Sequence, residues 1–198
     1  MRPKGVEKGE TTERILDVAT ELIQTRGYNA FSYHDIAERL AIRKASIHYH
    51  FPGKAELGKA VIARYRVSFR AVLDTILADE GIGTLEALRQ YCEPFRLVVH
   101  TRDRVCLCAA LAGEMLALPE EMQASVEAFF TTHQHWIETI LERGRGRADI
   151  TLRADAALTA RMIFSSLQGA VLVARAIHDA KQLDDTIAAI MASLAKRE

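Results

Sequence analysis

Apolar residues recur along this chain at three- and four-residue spacing, the repeat of helices with one buried face, and the pattern predicts an all-α protein. Ile15, Leu16, Ala19, Leu22 and Ile23 give a first helix from about Glu10, with Gly27 placed to take the left-handed conformation that ends it. Between Ser32 and Phe51 the pattern breaks into two very short helices. Ser32 is suited to cap the first, and Asp35 sets its charge at the positive helix end. This helix should run to about Leu40, with Ile36, Ala37 and Leu40 facing inward and His34, Glu38 and Arg39 in water. Ala41-Ile42-Arg43 makes the turn, and the second helix, Lys44 to about Tyr49, buries Ala45 or Ile47. After Pro52-Gly53, Lys54 opens a long helix with Leu57, Val61, Tyr65, Phe69, Val72 and Ile76 on one stripe.

The second half continues in helices. Gly81-Ile82-Gly83 ends the long one, and Thr84 caps the next, which carries Leu85, Leu88, Tyr91, Phe95, Val98 and Val99, with Pro94 placed to kink it. A further segment from near Thr101 or Asp103 includes Val105 to Leu111 and reaches Met115. Pro119 suits the first turn of a long helix passing Met122, Val126, Phe129, Phe130, His133, Trp136, Ile137, Ile140 and Leu141 and stopping at Gly144. Arg143-Gly144-Arg145-Gly146-Arg147 reads as a solvated connector rather than an RNA-binding run. Two helices, about 153–180 and 184–196, close the chain.

A length of 198 residues allows one good core or two small ones, and the formal charge is zero. Zero net charge excludes whole-surface polyelectrolyte binding, so any attraction for phosphate must be local. Basic residues do outnumber acidic ones between Met1 and Arg66. Met1 to Lys8 reads as an arm, either frayed or reaching a minor groove through Arg2 and Lys4. Three cysteines, Cys92, Cys106 and Cys108, with no secretory signal before them, lead us to expect a reduced, cytoplasmic protein, and no apolar stretch is expected to span a bilayer.

No Gly-x-Ser-x-Gly elbow, phosphate-cradling glycine loop or His-Glu-x-x-His motif is present, so no catalytic residue and no cofactor is assigned. His133 and His135 fall on different helix faces, as do Cys106 and Cys108, so neither pair chelates a metal alone. A metal-sensing site would have to come from separate helices, for example His100, Cys106 and His133. An all-α interaction module remains the other alternative.

The two short helices form a helix-turn-helix, sized for a major groove. Lys44, Ser46, His48 and Tyr49 are the donors and aromatic surface its second helix shows, flanked by Arg43, Ala45 and His50, with Ser32 and Lys54 placed to hold phosphates. Arg26-Gly27-Tyr28, Asp35-Ile36-Ala37 and above all Ser46-Ile47-His48-Tyr49-His50-Phe51, then Lys54 and Leu57, closely resemble the TetR-type bacterial transcriptional regulators. Ala41 stands where members commonly have Gly, and His48 stands where paired Tyr is frequent. The resemblance implies a homodimer on double-stranded operator DNA, with a DNA-binding domain over 1–54 and an effector-binding and dimerisation domain over 55–198. A small molecule in the second domain would release the first from a palindromic operator, with the long helix from Lys54 as the lever.

For that effector the sequence offers Phe95, Val99, His100, Cys106, Leu111, Met115, Phe129, His133, Trp136, Met162 and Phe164, large apolar groups with a few polar ones among them. The dimer implied by the resemblance falls to the last two helices, through Leu158, Met162, Ser165, Ser166, Gly169, Val173, Ile187, Ile190, Met191 and Leu194, although such stripes also suit packing within one chain. Cys106-Leu107 with Glu114, Leu118, Glu121 and Met122 resembles the subgroup of the N-ethylmaleimide reductase repressor. There the matching cysteine senses electrophiles, and Arg175 falls where a basic residue matters to sensing. A helix starting near Thr101 or Asp103, with Arg102 and Arg104 nearby, would lower the pKa of Cys106; Cys108, on another face, is the inert comparison.

Overall fold

The structure, a computed structural model, describes the backbone of residues 4–100 and 104–196 and the side chains of 9–100 and 104–196. Among these residues the chain forms α1 (Lys4–Arg26), α2 (Tyr33–Leu40), α3 (Lys44–His50), α4 (Lys54–Ala78), α5 (Thr84–His100), α6 (Leu107–Gly113), a 3-10 turn (Met115–Ala117), α7 (Glu120–Arg147), α8 (Ala156–Ile177) and α9 (Lys181–Leu194), and no strand. It divides into two compact units, Met1–Arg66 with Leu107–Glu127, and Val67–Cys106 with Ala128–Glu198. These units cut the chain differently from a boundary at residue 54. The first half of α4 buries Leu57, Val61 and Ile62, and the α6 region buries Leu107, Leu111 and Met122, so both belong to the first unit.

Four boundaries differ from expectation for physical reasons. α1 begins at Lys4, not near Glu10, because Glu7, Lys8 and Glu10 are good helix formers that extend a helix already nucleated by Ile15–Ile23. Arg2 lies outside the described residues, as do Thr101, Arg102 and Asp103. α6 begins only at Leu107: Val105, Cys106, Leu107 and Cys108 are buried in succession, which no single face of a helix permits.

α7 continues through Gly144 and Gly146 to Arg147, and the Arg-Gly run is no connector. Arg143 donates to the carbonyls of Leu77 and Asp79, and Arg147 to those of Ile82 and Glu80, which close the turn after α4. A side chain at Gly144 would collide with Thr84, so the missing Cβ lets α7 lie against the start of α5. Thr84 does not cap its own helix. Its hydroxyl has no partner, and Asp149 accepts from the Thr84 N–H at 3.1 Å instead. α8 is shorter than expected, being capped by Asp155, whose carboxylate accepts from the Leu158 N–H at 2.7 Å, while α9 is shifted towards the N-terminus, from Lys181 to Leu194.

α8 corrects a further expectation: at mean hydropathy 1.4 over an 18-residue window it is long and apolar enough, by length and composition, to cross a membrane. Its inner face is core (Ala160, Ile163, Phe164, Leu167, Val171, Ala174), and its outer face mixes apolar side chains with Ser165, Ser166 and Gly169. Small residues on such a face let another helix come close.

Candidate functional site

The helix-turn-helix is built from local rules and then locked by a few long-range bonds. Ser32 caps α2: its hydroxyl accepts from the His34 N–H at 3.2 Å, while Asp35 accepts from the Ser32 N–H and hydroxyl, each at 2.8 Å. Those two bonds hold the Asp35 carboxyl below its ordinary range, with Arg26 at 3.4 Å assisting. α2 ends in a left-handed Ala41 (φ 53°), a conformation that favours glycine and carries strain for alanine. The buried Tyr33 hydroxyl donates to the Phe51 carbonyl at 2.9 Å, tying the start of α2 to the end of α3, and burial first, then Glu56, pushes its pKa up to about 12. Thr12 in α1 meets His50 Nδ1 at 2.9 Å.

On α3, Ile47 is buried and Ala45 is exposed, which decides between the two candidates for the inward position. Arg43, Lys44, Ala45, His48 and Tyr49 are exposed, Tyr49 to 70%, while Ser46 and His50 are half-buried. The His48 ring packs at a tilt against Tyr33, 4.7 Å between centroids, and its Nδ1 lies 3.2 Å from the Pro52 carbonyl, an acceptor only. Nδ1 therefore donates to that carbonyl, which fixes the ring's orientation and leaves Nε2 on its far side.

Two residues expected to grip phosphate are engaged internally. The Ser32 hydroxyl is spent in the cap. The Lys54 ammonium donates to the Phe31 carbonyl and lies over the rings of Tyr28 (4.7 Å) and Phe31 (4.4 Å). Burial lowers its pKa against the opposing pull of Glu114 and Asp35.

A contact that the sequence pattern gave no reason to expect secures the turn between α1 and α2. Glu114, just before the 3-10 turn, accepts from the Tyr28 N–H at 2.7 Å and the Asn29 N–H at 2.9 Å, and also from the Asn29 side-chain amide. Gly27 is left-handed (φ 95°), and a Cβ there would collide with the same carboxylate. Lys59 pairs with Glu121, and Gly58 leaves room for Met122.

In the second unit the residues expected to line an effector pocket divide. Phe95, Phe129, His133, Trp136 and Phe164 form a filled aromatic cluster with Phe69 and Tyr91. Trp136 Nε1 donates to the Leu73 carbonyl at 3.0 Å, and His133 Nδ1 meets the Tyr91 hydroxyl at 2.9 Å. Leu111 and Met115 belong to the first unit, and Met162 points outward at 60% exposure. Cys106 is 1% exposed and immediately precedes α6 instead of lying within its first turns; Gln168 Nε2 lies 3.7 Å from Sγ. His100, Cys106 and His133 are not assembled into a cluster, and among the described residues no group of three or more His, Cys, Asp or Glu could hold a metal.

Burial depresses the His133 pKa from 6.5 to about 3. The unfolded chain therefore binds a proton that the folded one refuses between those values, and stability falls as pH drops from about 6.5, by up to about 1.4 kcal/mol per pH unit from this group. In His133→Phe the urea midpoint should fall less steeply between pH 6.5 and 4.5 than in the wild type. Parallel slopes would show that His133 protonates without unfolding.

A cavity of about 600 Å³ lies between the ends of α5 and α8, lined by Val99, His100, Arg104, Val171, Ala174, Arg175, His178 and Ala180. Only Val99 and His100 of the expected pocket residues reach it; the others fill the core or lie elsewhere. On the outer face of α8, Leu158, Met162, Leu172, Val173 and Ile177 are exposed with Ser165 and Ser166, and Gly169 is half-buried with nothing within 4 Å of where its Cβ would stand. α9 does not match it. Leu183, Ile187, Met191 and Leu194 are buried inside the chain, and only Ile190 of its apolar stripe is half-open.

A capped helix-turn-helix with basic and aromatic groups on its second helix, followed by a larger helical unit, defines the class of helix-turn-helix transcriptional regulators. Residues 15–61 match the family described as "Bacterial regulatory proteins, tetR family", and residues 84–190 match "Tetracyclin repressor-like, C-terminal domain". The chain belongs to the TetR family. A TetR-family transcriptional regulator from Agrobacterium tumefaciens has a similar structure, with a TM-score of 0.90 and 32% identity over 96% of this chain and all of that one. The transcriptional regulator AcuR of Cereibacter sphaeroides is 24% identical over 88% of this chain and 81% of its own. The repressor NemR of Escherichia coli is 22% identical over 90% of this chain and 91% of its own, and its reduced form shares the fold with a TM-score of 0.83 at 19% identity over 95% of this chain and 98% of that one.

Proposed function

We propose that this regulator is a cytoplasmic, homodimeric repressor that binds a palindromic operator through α3 and is released by a small molecule held in the cavity between α5 and α8. It acts by binding and has no catalytic role. The exposed face of α3, fixed by the Ser32 cap and the Tyr33 and His50 bonds, carries the DNA-binding part. Lys44, His48 and Tyr49 contact bases, Arg43 and Lys44 meet phosphate, and Lys54 acts as a strut beneath the turn. NemR, named a transcriptional repressor, supports the direction of control. Non-covalent binding is favoured over thiol modification because Cys106 Sγ would first have to be uncovered.

The test is fluorescence anisotropy on DNA selected by the protein from a random pool, read across a salt series. The selected site should carry two inverted half-sites. Lys44→Ala should weaken binding and lower the salt slope by about one unit per head. Lys54→Met should lower the unfolding midpoint and leave the salt slope unchanged. Selection of no sequence, or equal slopes for Lys44→Ala and the wild type, would overturn this reading.

A further inference from the structure

His48 is held in a way that gives its two ring nitrogens different tasks. The ring packs against the buried Tyr33, and Nδ1 donates to the Pro52 carbonyl at 3.2 Å. That carbonyl only accepts, so Nδ1 keeps its proton and its bond in the neutral ring and in the imidazolium alike. Titration therefore leaves the ring where it is. What changes is Nε2, on the far side of an exposed side chain, which accepts in the neutral ring and donates in the cation.

The charged and titratable groups around His48 come from three helices. On α2, the Tyr33 hydroxyl donates to the Phe51 carbonyl and stays protonated, its pKa pushed up to about 12 by burial, while Asp35 is committed to Ser32. On α4, Glu56 acts on Tyr33 as a negative charge, and the Lys54 ammonium is turned onto the Phe31 carbonyl. Arg43 and Lys44 stand at the start of α3, one turn before His48. His34, next to Tyr33, and His50, whose Nδ1 meets Thr12 at 2.9 Å, are the neighbouring imidazoles.

In the major groove adenine and cytosine offer donors through their amino groups, whereas guanine offers two adjacent acceptors, O6 and N7. A neutral ring bound through Nδ1 suits the amino groups; the cation suits guanine. The negative field of the phosphates favours the cation of an imidazole brought into the groove. We infer that His48 reads a guanine in each half-site through a protonated Nε2, so that operator binding takes up one proton per head. The inference rests on α3 being the reading helix.

Site selection from a random pool with the wild type, His48→Ala and His48→Arg reads the base, and anisotropy on the selected operator between pH 8 and pH 6 reads the proton. The wild type should choose guanine at one position of each half-site. His48→Ala should relax that choice, and His48→Arg, a permanent cation suited to the same two acceptors, should retain it. Wild-type affinity should rise about ten-fold per head from pH 8 to pH 6, the effect of a pKa raised by about one unit in the complex. The rise should be smaller by that factor in both His48 variants and unchanged in His34→Gln, with circular dichroism confirming that each protein is folded across the range. Equal pH slopes for the wild type and His48→Ala, or adenine or cytosine at the position that depends on His48, would overturn the inference. A slope lost in His48→Ala with no change in the selected sequence would place the proton on a phosphate contact and overturn the base assignment. These failures leave α3 as the reading helix; a wild type that selects no sequence would overturn that reading and this inference with it.

Discussion

Glu114→Ala is expected to cost about 2 kcal/mol of stability in the first unit and at least ten-fold in operator affinity, although Glu114 lies far from α3 in sequence and is assigned no contact with DNA. Its carboxylate accepts from two consecutive backbone N–H groups, Tyr28 and Asn29, in the turn that delivers the chain from α1 to α2. Bonds from N–H to a charged acceptor contribute roughly 1.5–3 kcal/mol, and a buried donor stripped of its partner costs about 1–3. The Asn29 N–H is exposed and water would replace its acceptor, so the lower end of that sum applies. The affinity loss follows from geometry. Tyr28 stacks edge-on with Phe31, Lys54 bridges both rings, and Ser32, the cap of α2, comes next, so a loosened turn lets the whole head rotate. Glu114→Gln keeps one carbonyl acceptor and should lose about half as much stability. Urea unfolding and operator anisotropy on the same preparations decide the matter. An alanine variant with the midpoint and affinity of the wild type would show that the turn holds itself.

How far the sequence reveals this arrangement depends on whether the deciding bond is local. The Ser32 cap, the Ala41 turn and the bounds of α2 and α3 depend on residues within a few positions of one another, and all are legible from spacing. The outward Lys44, His48 and Tyr49 follow from the same periodicity once Ile47 is inside. Glu114 on the Tyr28 turn, Asp149 on the start of α5 and Arg147 on the turn after α4 are not legible, because each joins residues that only the tertiary fold brings together. Lys54 shows the limit most directly. Its position before a long helix suggests a cation open to phosphate, yet two aromatic rings from the preceding turn claim its ammonium. The cavity is not legible for a related reason: large apolar residues suggest a pocket lining, but they interlock as core, and the space is left beside small residues and arginines near helix ends.

The outer face of α8 gives the largest expected effect on DNA binding. Leu158, Met162, Leu172, Val173 and Ile177 leave an apolar stripe in solvent along one helix, with Ser165, Ser166 and Gly169 among them. We expect this stripe, and not the buried one on α9, to meet its copy about a two-fold axis. Gly169 separates dimerisation from folding. Nothing outside its own helix backbone lies within 4 Å of where its Cβ would stand, and glutamate is the better helix former, so Gly169→Glu should fold as a monomer with no loss of stability. In a dimer the same side chain would put a charge and its bulk where two helix backbones approach. Met162→Glu places a charge two turns away, at a site 60% exposed in the single chain, and should act alike. Both variants should sediment as monomers at micromolar concentration. Their affinity for an operator with two half-sites should fall by about 10²–10⁴, because the second head no longer arrives at high effective concentration, while binding to a lone half-site stays near that of the wild type. A Gly169→Glu protein that remains dimeric and binds the full operator as tightly as the wild type would move the interface off α8.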